Sequence, residues 1–202
     1  MLIEFIGLPG SGKTTYLEKL NKQSDDIIDR KSLEKIELSY ISFIKFIFKN
    51  SSLFFIFGLG TLYNFELNLK RWYALIIGVH ATLKQFAKID KINKSNTKNS
   101  IIMDEGLLQR SLSIFYFNHR KLNPYFFKKA IKIISKSHYI NEIIYLNIEP
   151  IISIERCKNR TSGLPYRYKK FNTESLKLKF NNTIKGIEFI KNNSTIKFKQ
   201  IN

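Results

Sequence analysis

The stretch that most constrains this chain is Gly7-Leu8-Pro9-Gly10-Ser11-Gly12-Lys13-Thr14. It fits the pattern G-x-x-x-x-G-K-S/T, which chance alone would produce in roughly one per cent of chains this long. Its flanks narrow the reading further. An apolar run, Leu2 to Ile6, leads into it, and a helical pattern opens near Lys13. In a strand–loop–helix setting, glycines let the backbone curl until successive N–H groups face one concavity. The helix adds the positive end of its dipole. Such a nest holds phosphate. Lys13 is placed to reach β- and γ-phosphates, and the Thr14 hydroxyl to coordinate Mg²⁺. Gly7, Pro9, Gly10, Ser11, Gly12, Lys13, Thr14 and Thr15 are therefore the expected nucleotide-binding residues.

The rest of the chain alternates strand and helix patterns. Its 202 residues suit one domain with a full hydrophobic core. Leu2–Ile6 reads as a buried strand, with Glu4 as an unexplained interruption. Thr14–Lys22 reads as a helix and Asp26–Asp29 as a second strand. Residues 32–99 read as a mostly helical, aromatic and basic insertion. Within it, Tyr40, Phe43, Ile44 and Ile47 share one helical face. Gly58 and Gly60 read as a break after the most apolar stretch. A helix resumes over Leu67–Ile89, and Asp90–Ser100 reads as a surface loop. Ile101–Glu105 is a buried strand ending in two carboxylates. Helices over Leu107–Phe117 and from Asn123 through Ser135, a strand over Ile143–Ile148 and a helix from Pro150 to Arg160 follow. A loop over Thr161–Tyr168, an amphipathic helix through Leu176, Phe180, Ile184 and Ile187, and a last strand over Thr195–Ile201 complete the order. That alternation is the pattern of an α/β fold, a parallel sheet with helices on both faces. Ligands then bind beyond the carboxyl ends of the strands.

Several charged residues fall on that edge. Asp104 ends an apolar strand, where a carboxylate holds Mg²⁺ directly or through water. Glu105 beside it would orient an acceptor or take its proton. Arg156 and Arg160 lie four apart and share a helix face, and Arg167 follows in the loop. Planar, permanently charged guanidinium groups suit a transferring phosphoryl group. Arg110 and Asp29 are the expected contacts to the acceptor, with Arg167. The three histidines have no ligand spacing for a structural metal. The single cysteine, Cys157, excludes an internal disulfide and fits a reducing cytoplasm. The opening apolar run is short, contains Glu4 and does not read as a signal peptide.

Net charge is +18, from 34 basic and 16 acidic residues. A balance that basic suits acidic partners, whether nucleotide, nucleic acid or an anionic membrane surface. The excess of Lys over Arg, with abundant Ile, Asn and Phe, also fits an AT-rich coding sequence. Both explanations of the charge stand.

Residues 2–15, 101–110 and 142–167 carry a resemblance. The chain resembles the nucleoside and nucleotide kinases of the phosphate-loop superfamily, of the thymidylate-kinase and adenylate-kinase type. The strand Ile144-Tyr145-Leu146, then Pro150, Arg156 and Arg160, is similar to their strand-then-lid segment. The resemblance implies the P-loop NTPase fold with a five-stranded sheet, ATP and Mg²⁺ as cofactors, and a mobile lid over 150–168. It departs at Asp104-Glu105-Gly106, where thymidylate kinases carry Asp-Arg, and here an Arg-Ser pair comes later, at Arg110-Ser111. The acceptor is accordingly left as nucleoside-like, nucleotide-like or sugar-like.

The expected protein is a cytoplasmic kinase that transfers the γ-phosphoryl of ATP to a hydroxyl- or phosphate-bearing small acceptor. Lys13, Asp104, Glu105, Arg156 and Arg160 would carry transfer, with Thr14 and Asp104 on the metal. Tyr40, Phe43, Trp72 and Tyr73 would wall the acceptor site. Two readings compete with this one: a nucleotide-dependent ATPase or switch, and a basic protein that associates with nucleic acid or a membrane surface. A homodimer is left open.

Overall fold

The first strand, β1 (Leu2–Gly7), is apolar on both faces because two layers of helices cover it. Leu2 and Ile6 face the larger core, while Ile3 and Phe5 face a smaller one that contains Leu17. The same alternation runs through the neighbouring strands. Ile101 and Met103 face the larger core and Ile102 the smaller; Ile143 and Tyr145 face the larger, Ile144 and Leu146 the smaller. The protein is described by a computed structural model over residues 1–22, 27–63, 69–95, 100–116, 124–136, 139–161, 163–164, 168–169 and 171–202. At 61, 63, 69–72, 74, 75 and 116 it describes the backbone alone.

Five parallel strands form one sheet. They are β1, β2 (Ile27–Ile28), β3 (Ser100–Met103), β4 (Glu142–Leu146) and β5 (Lys197–Ile201), in the spatial order β2-β3-β1-β4-β5. Helix α1 (Lys13–Asn21) follows β1 directly. Between β2 and β3 lie α2 (Arg30–Lys35), α3 (Tyr40–Lys49), α4 (Ser51–Tyr63) and α5 (Leu69–Lys94). After β3 come α6 (Leu107–Tyr116) and α7 (Pro124–Lys136). After β4 come α8 (Pro150–Lys158) and α9 (Thr173–Asn193). Within the insertion, buried Lys88 of α5 ties that helix to α2, donating to the Leu33 and Glu34 carbonyls.

A third apolar cluster is smaller and closer to the loop. Leu8, Ile154, Tyr168, Leu176 and Phe180 pack together, so the phosphate loop, α8 and α9 share one core. Leu176, Phe180 and Ile187 are buried as their spacing predicts, and Ile184 is partly buried against the same cluster.

Three expectations are corrected. Gly58 and Gly60 do not end a helix, because α4 runs through both. Gly60 is there for a close approach: a Cβ on it would sit 2.2 Å from the Phe115 ring. That ring is wedged between Phe57 and Phe127, with centroids 5.4 and 5.7 Å away, and cannot retreat. The first part of the supposed surface loop over Asp90–Ser100 is helix, since α5 continues to Lys94; residues 96–99 lie outside the described residues. An Asp90–Lys94 ion pair supports that last turn. The second strand is two residues long, because Asp29 leaves it to cap α2; Asp26 lies outside the described residues, as do Leu67, Phe117 and Asn123. Among the described residues, no single helix is long and apolar enough to cross a membrane. Only Tyr40–Lys49 with Ser51–Gly60 passes by composition, and those two are bent by 88°.

Gly60→Ala should therefore destabilise the fold by about 1–3 kcal/mol through overpacking. Gly58→Ala, which meets nothing within 4 Å, should gain up to about 1 kcal/mol of helix propensity. Urea unfolding midpoints of the two variants check this; equal shifts would contradict it.

Candidate active site

The phosphate loop joins the end of β1 to the start of α1. Gly7, Gly10 and Gly12 have φ of 152°, 84° and 92°, values that side chains rarely adopt. Gly10 is doubly constrained, since a Cβ there would lie 2.8 Å from the Ser153 carbonyl oxygen. Helix α8 is pressed against the loop, and the Ser153 hydroxyl donates to the Pro9 carbonyl. Cys157 sits buried on the same contact, and burial raises its thiol pKa above the ordinary value. A neutral buried thiol is a packing group here.

Lys13 folds back over the loop. Its ammonium donates to the Gly7 and Leu8 carbonyls at 2.9 and 2.8 Å. Thr14 Oγ1 donates to Asp104 Oδ2 at 2.9 Å. Residues ninety apart in sequence thus meet beyond the carboxyl ends of the neighbouring strands β1 and β3. A hydroxyl and a carboxylate are hard oxygen donors, and together they fit a partial Mg²⁺ site that phosphates and water would complete.

Glu4, unexplained in the sequence, is fully buried beneath the start of α6. Its carboxylate accepts the N–H groups of Leu108 at 3.0 Å and Gln109 at 2.8 Å, two of the helix's orphan donors. Gly106 makes room: a Cβ there would lie 2.5 Å from the Glu4 carboxyl carbon. Burial raises the Glu4 pKa to about 7, against the pull of those N–H groups and of Arg110. Gln109 in turn accepts the Gly7 N–H on its side-chain oxygen at 3.0 Å, in a buried bond. Glu4 and Gln109 were not foreseen as site residues. A polar residue inside an apolar strand was the only signal.

A cleft of about 730 Å³ opens beside the loop. Gly7, Pro9, Gly10, Ser11, Gly12, Lys13 and Thr14 line it, with Asp104, Glu105 and Asp29. Asp29 is also the N-cap of α2, accepting from the Ser32 N–H at 2.8 Å. Its neighbour Arg30 reaches across instead, donating to Glu105 at 2.9 Å while also pairing with Glu34. Arg160 lines this cleft. Arg156 does not: it lines a second hollow, of about 660 Å³, on the other side of the loop, together with Thr15. Ser11 and Gly12 line both. Arg110 lines neither hollow, and Arg167 lies outside the described residues. Tyr40 and Tyr73 are not cleft walls either; they are 77% and 65% exposed, and Phe43 packs on His80. The Trp72 side chain is not described.

The five strands form a parallel sheet in the order β2-β3-β1-β4-β5, with the phosphate loop after the central strand β1. Among solved structures the chain is similar to deoxyadenosine kinase from M. mycoides with products dCMP and a flexible dCDP bound. That match has a TM-score of 0.55 and 15% identity, over 100% of this chain and 90% of the other. The same enzyme with bound dATP and with bound dCTP matches at TM-scores of 0.51 and 0.52, each at 16% identity with the same coverage. No protein-family description matches the sequence, and no curated protein does. The likeness is one of fold.

The buried carboxylate leaves a pH signature. A pKa raised in the folded state means that the native protein holds the proton more tightly than the unfolded chain does. Glu4 therefore contributes most below pH 4.5, and its contribution is lost as pH rises through about 7. Glu4→Gln should remove that loss, which amounts to about 1.4 kcal/mol per pH unit at most. Urea unfolding from pH 4.5 to 8 checks it: wild type should weaken relative to the variant as pH rises, and parallel curves would refute it.

Proposed function

We propose that the protein is a kinase, transferring the γ-phosphoryl group of ATP to a small hydroxyl- or phosphate-bearing acceptor of nucleoside, nucleotide or sugar type. The observation that carries this reading is the 2.9 Å bond between Thr14 and Asp104. It joins the loop hydroxyl that would bind the metal to a strand-end carboxylate, on the edge where α/β sheets bind ligands. A cleft and a hollow on opposite sides of the same loop support a two-substrate reaction.

The phosphates would lie along the loop's N–H groups, with Lys13 exchanging the Gly7 and Leu8 carbonyls for phosphate oxygens. The nucleoside half would occupy the hollow lined by Tyr16, Asn147 and Arg156. Thr14 and Asp104 would hold Mg²⁺, which offsets phosphate charge when bound. Glu105, aligned by Arg30, would accept the proton of the acceptor hydroxyl. Arg160 would face the charge that spreads over the transferring group. The single domain, the lid over 150–168 and the cytoplasmic setting belong to the same reading. The dATP, dCTP and dCMP bound by the M. mycoides enzyme make deoxynucleosides and their monophosphates the first acceptors to try.

The experiment is ADP release from Mg·ATP with a panel of deoxynucleosides, nucleoside monophosphates and sugars. At least one compound should raise the rate above that with ATP alone. Lys13→Ala should lower that rate about a hundredfold or more, and Asp104→Asn at least tenfold with ATP affinity less affected. ATP hydrolysis that no compound changes would favour an ATPase or switch.

The two arginines should also separate. Arg160→Lys should reduce turnover more than ATP affinity, because the planar fork is lost at the reacting group. Arg156→Lys should raise the KM for ATP with turnover nearly unchanged. Steady-state kinetics with varied ATP decide, and identical profiles would reject the split.

A further inference from the structure

We infer that Gln109 is a ligand-contacting residue at the γ end of the phosphate site, donating its side-chain N–H to a terminal phosphoryl oxygen of the nucleotide. The inference rests on the kinase reading and adds a residue to it.

The carboxamide has only one sensible orientation. Its oxygen receives the Gly7 N–H at 3.0 Å, and the opposite flip would set two donors against each other. The Nε2 amide is therefore the other end. Among the described residues it has no hydrogen-bond acceptor. Gln109 is 7% exposed, and it lines the same cleft as Lys13, Asp104 and Glu105. The amide is open to the cleft rather than sealed off, so a phosphoryl oxygen bound there would take the place of the water that reaches it.

The position within the cleft follows from Gly7. Gln109 holds the Gly7 N–H, and Lys13 holds the Gly7 carbonyl at 2.9 Å. Both side chains thus converge on one peptide residue. Lysine at this place in the motif serves the β- and γ-phosphates. An amide beside it, on the side of Asp104 and Glu105, meets the terminal phosphoryl rather than the nucleoside, which would lie across the loop. The support beneath is rigid. Glu4 receives the backbone N–H of Gln109 itself at 2.8 Å, so the helix that carries the amide is pinned to the strand that carries the loop. A phosphate contact at Gln109 would consequently bear on the loop through Gly7.

The test measures the affinities of Mg·ATP and Mg·ADP by calorimetry for wild type, Gln109→Glu and Gln109→Leu. Gln109→Glu keeps an oxygen for Gly7 but replaces the donor with a negative charge. Gln109→Leu loses both contacts. Gln109→Glu should weaken Mg·ATP roughly tenfold or more, the scale of a hydrogen bond to a charged group, while Mg·ADP changes little. Gln109→Leu should weaken both ligands, and Mg·ATP the more. Thermal melts confirm that each variant is folded; a variant that does not fold is replaced by Gln109→Asn, which shortens the reach and should again weaken Mg·ATP more than Mg·ADP. Equal losses for the two nucleotides in every folded variant would make Gln109 a loop support only and overturn the inference. Wild-type protein that binds neither nucleotide would overturn the kinase reading, and this inference with it.

Discussion

A single buried carboxylate organises the contact between the sheet, α6 and the phosphate loop. Glu4 lies inside the central strand, fully out of water, and receives two N–H groups from the start of α6. Burying a charge is expensive, and the pKa raised to about 7 reflects that cost. The return is positional. Helix α6 leaves β3 directly after Asp104 and Glu105, so fixing its first turn fixes those carboxylates relative to the loop. Gln109 continues the connection by receiving the Gly7 N–H. Gly106 is part of the same device, because any side chain there would strike Glu4.

From the other side, α8 presses on the loop. Ser153 bonds to Pro9, and Gly10 is too close to α8 for a Cβ. Leu8 anchors the loop from beneath in the core shared with α9 and Tyr168. The concavity is thus clamped by α6 at its first glycine and by α8 at its second. Preorganised donors of that kind cost little reorganisation when an anion binds. Because α8 carries Arg156, and Arg160 follows just past its C-cap Asn159, the segment that shapes the loop would supply charge to both sides of it.

Much of the fold was legible because its determinants are local. Apolar runs of strand length, helical spacing of Leu176, Phe180 and Ile187, and Pro150 at a helix start are written in consecutive residues. The errors arose where a local sign has two meanings. Gly60 looks like a breaker, yet it serves the packing of α4 against Phe115. The polar residues after Asp90 look like a loop, yet the first of them end a helix. Aromatic residues in 40–73 suggested a ligand wall, and the exposed Tyr40 and Tyr73 instead face solvent.

By itself the sequence determined the phosphate nest, the strand that feeds it and the alternation that makes a parallel sheet. Glycine torsions, dipole ends and hydrophobic period act within a few residues, so a linear reading captures them. Tertiary structure alone decided what Glu4 is for, that Gln109 holds Gly7, that Arg30 rather than Asp29 meets Glu105, and that Arg156 and Arg160 line different hollows beside the loop. Those contacts join residues 104 and 102 positions apart in the cases of Glu4–Leu108 and Gly7–Gln109. Spacing in a chain says nothing about which groups meet across such a separation. The sheet's strand order, which brings β3 beside β1, settles it.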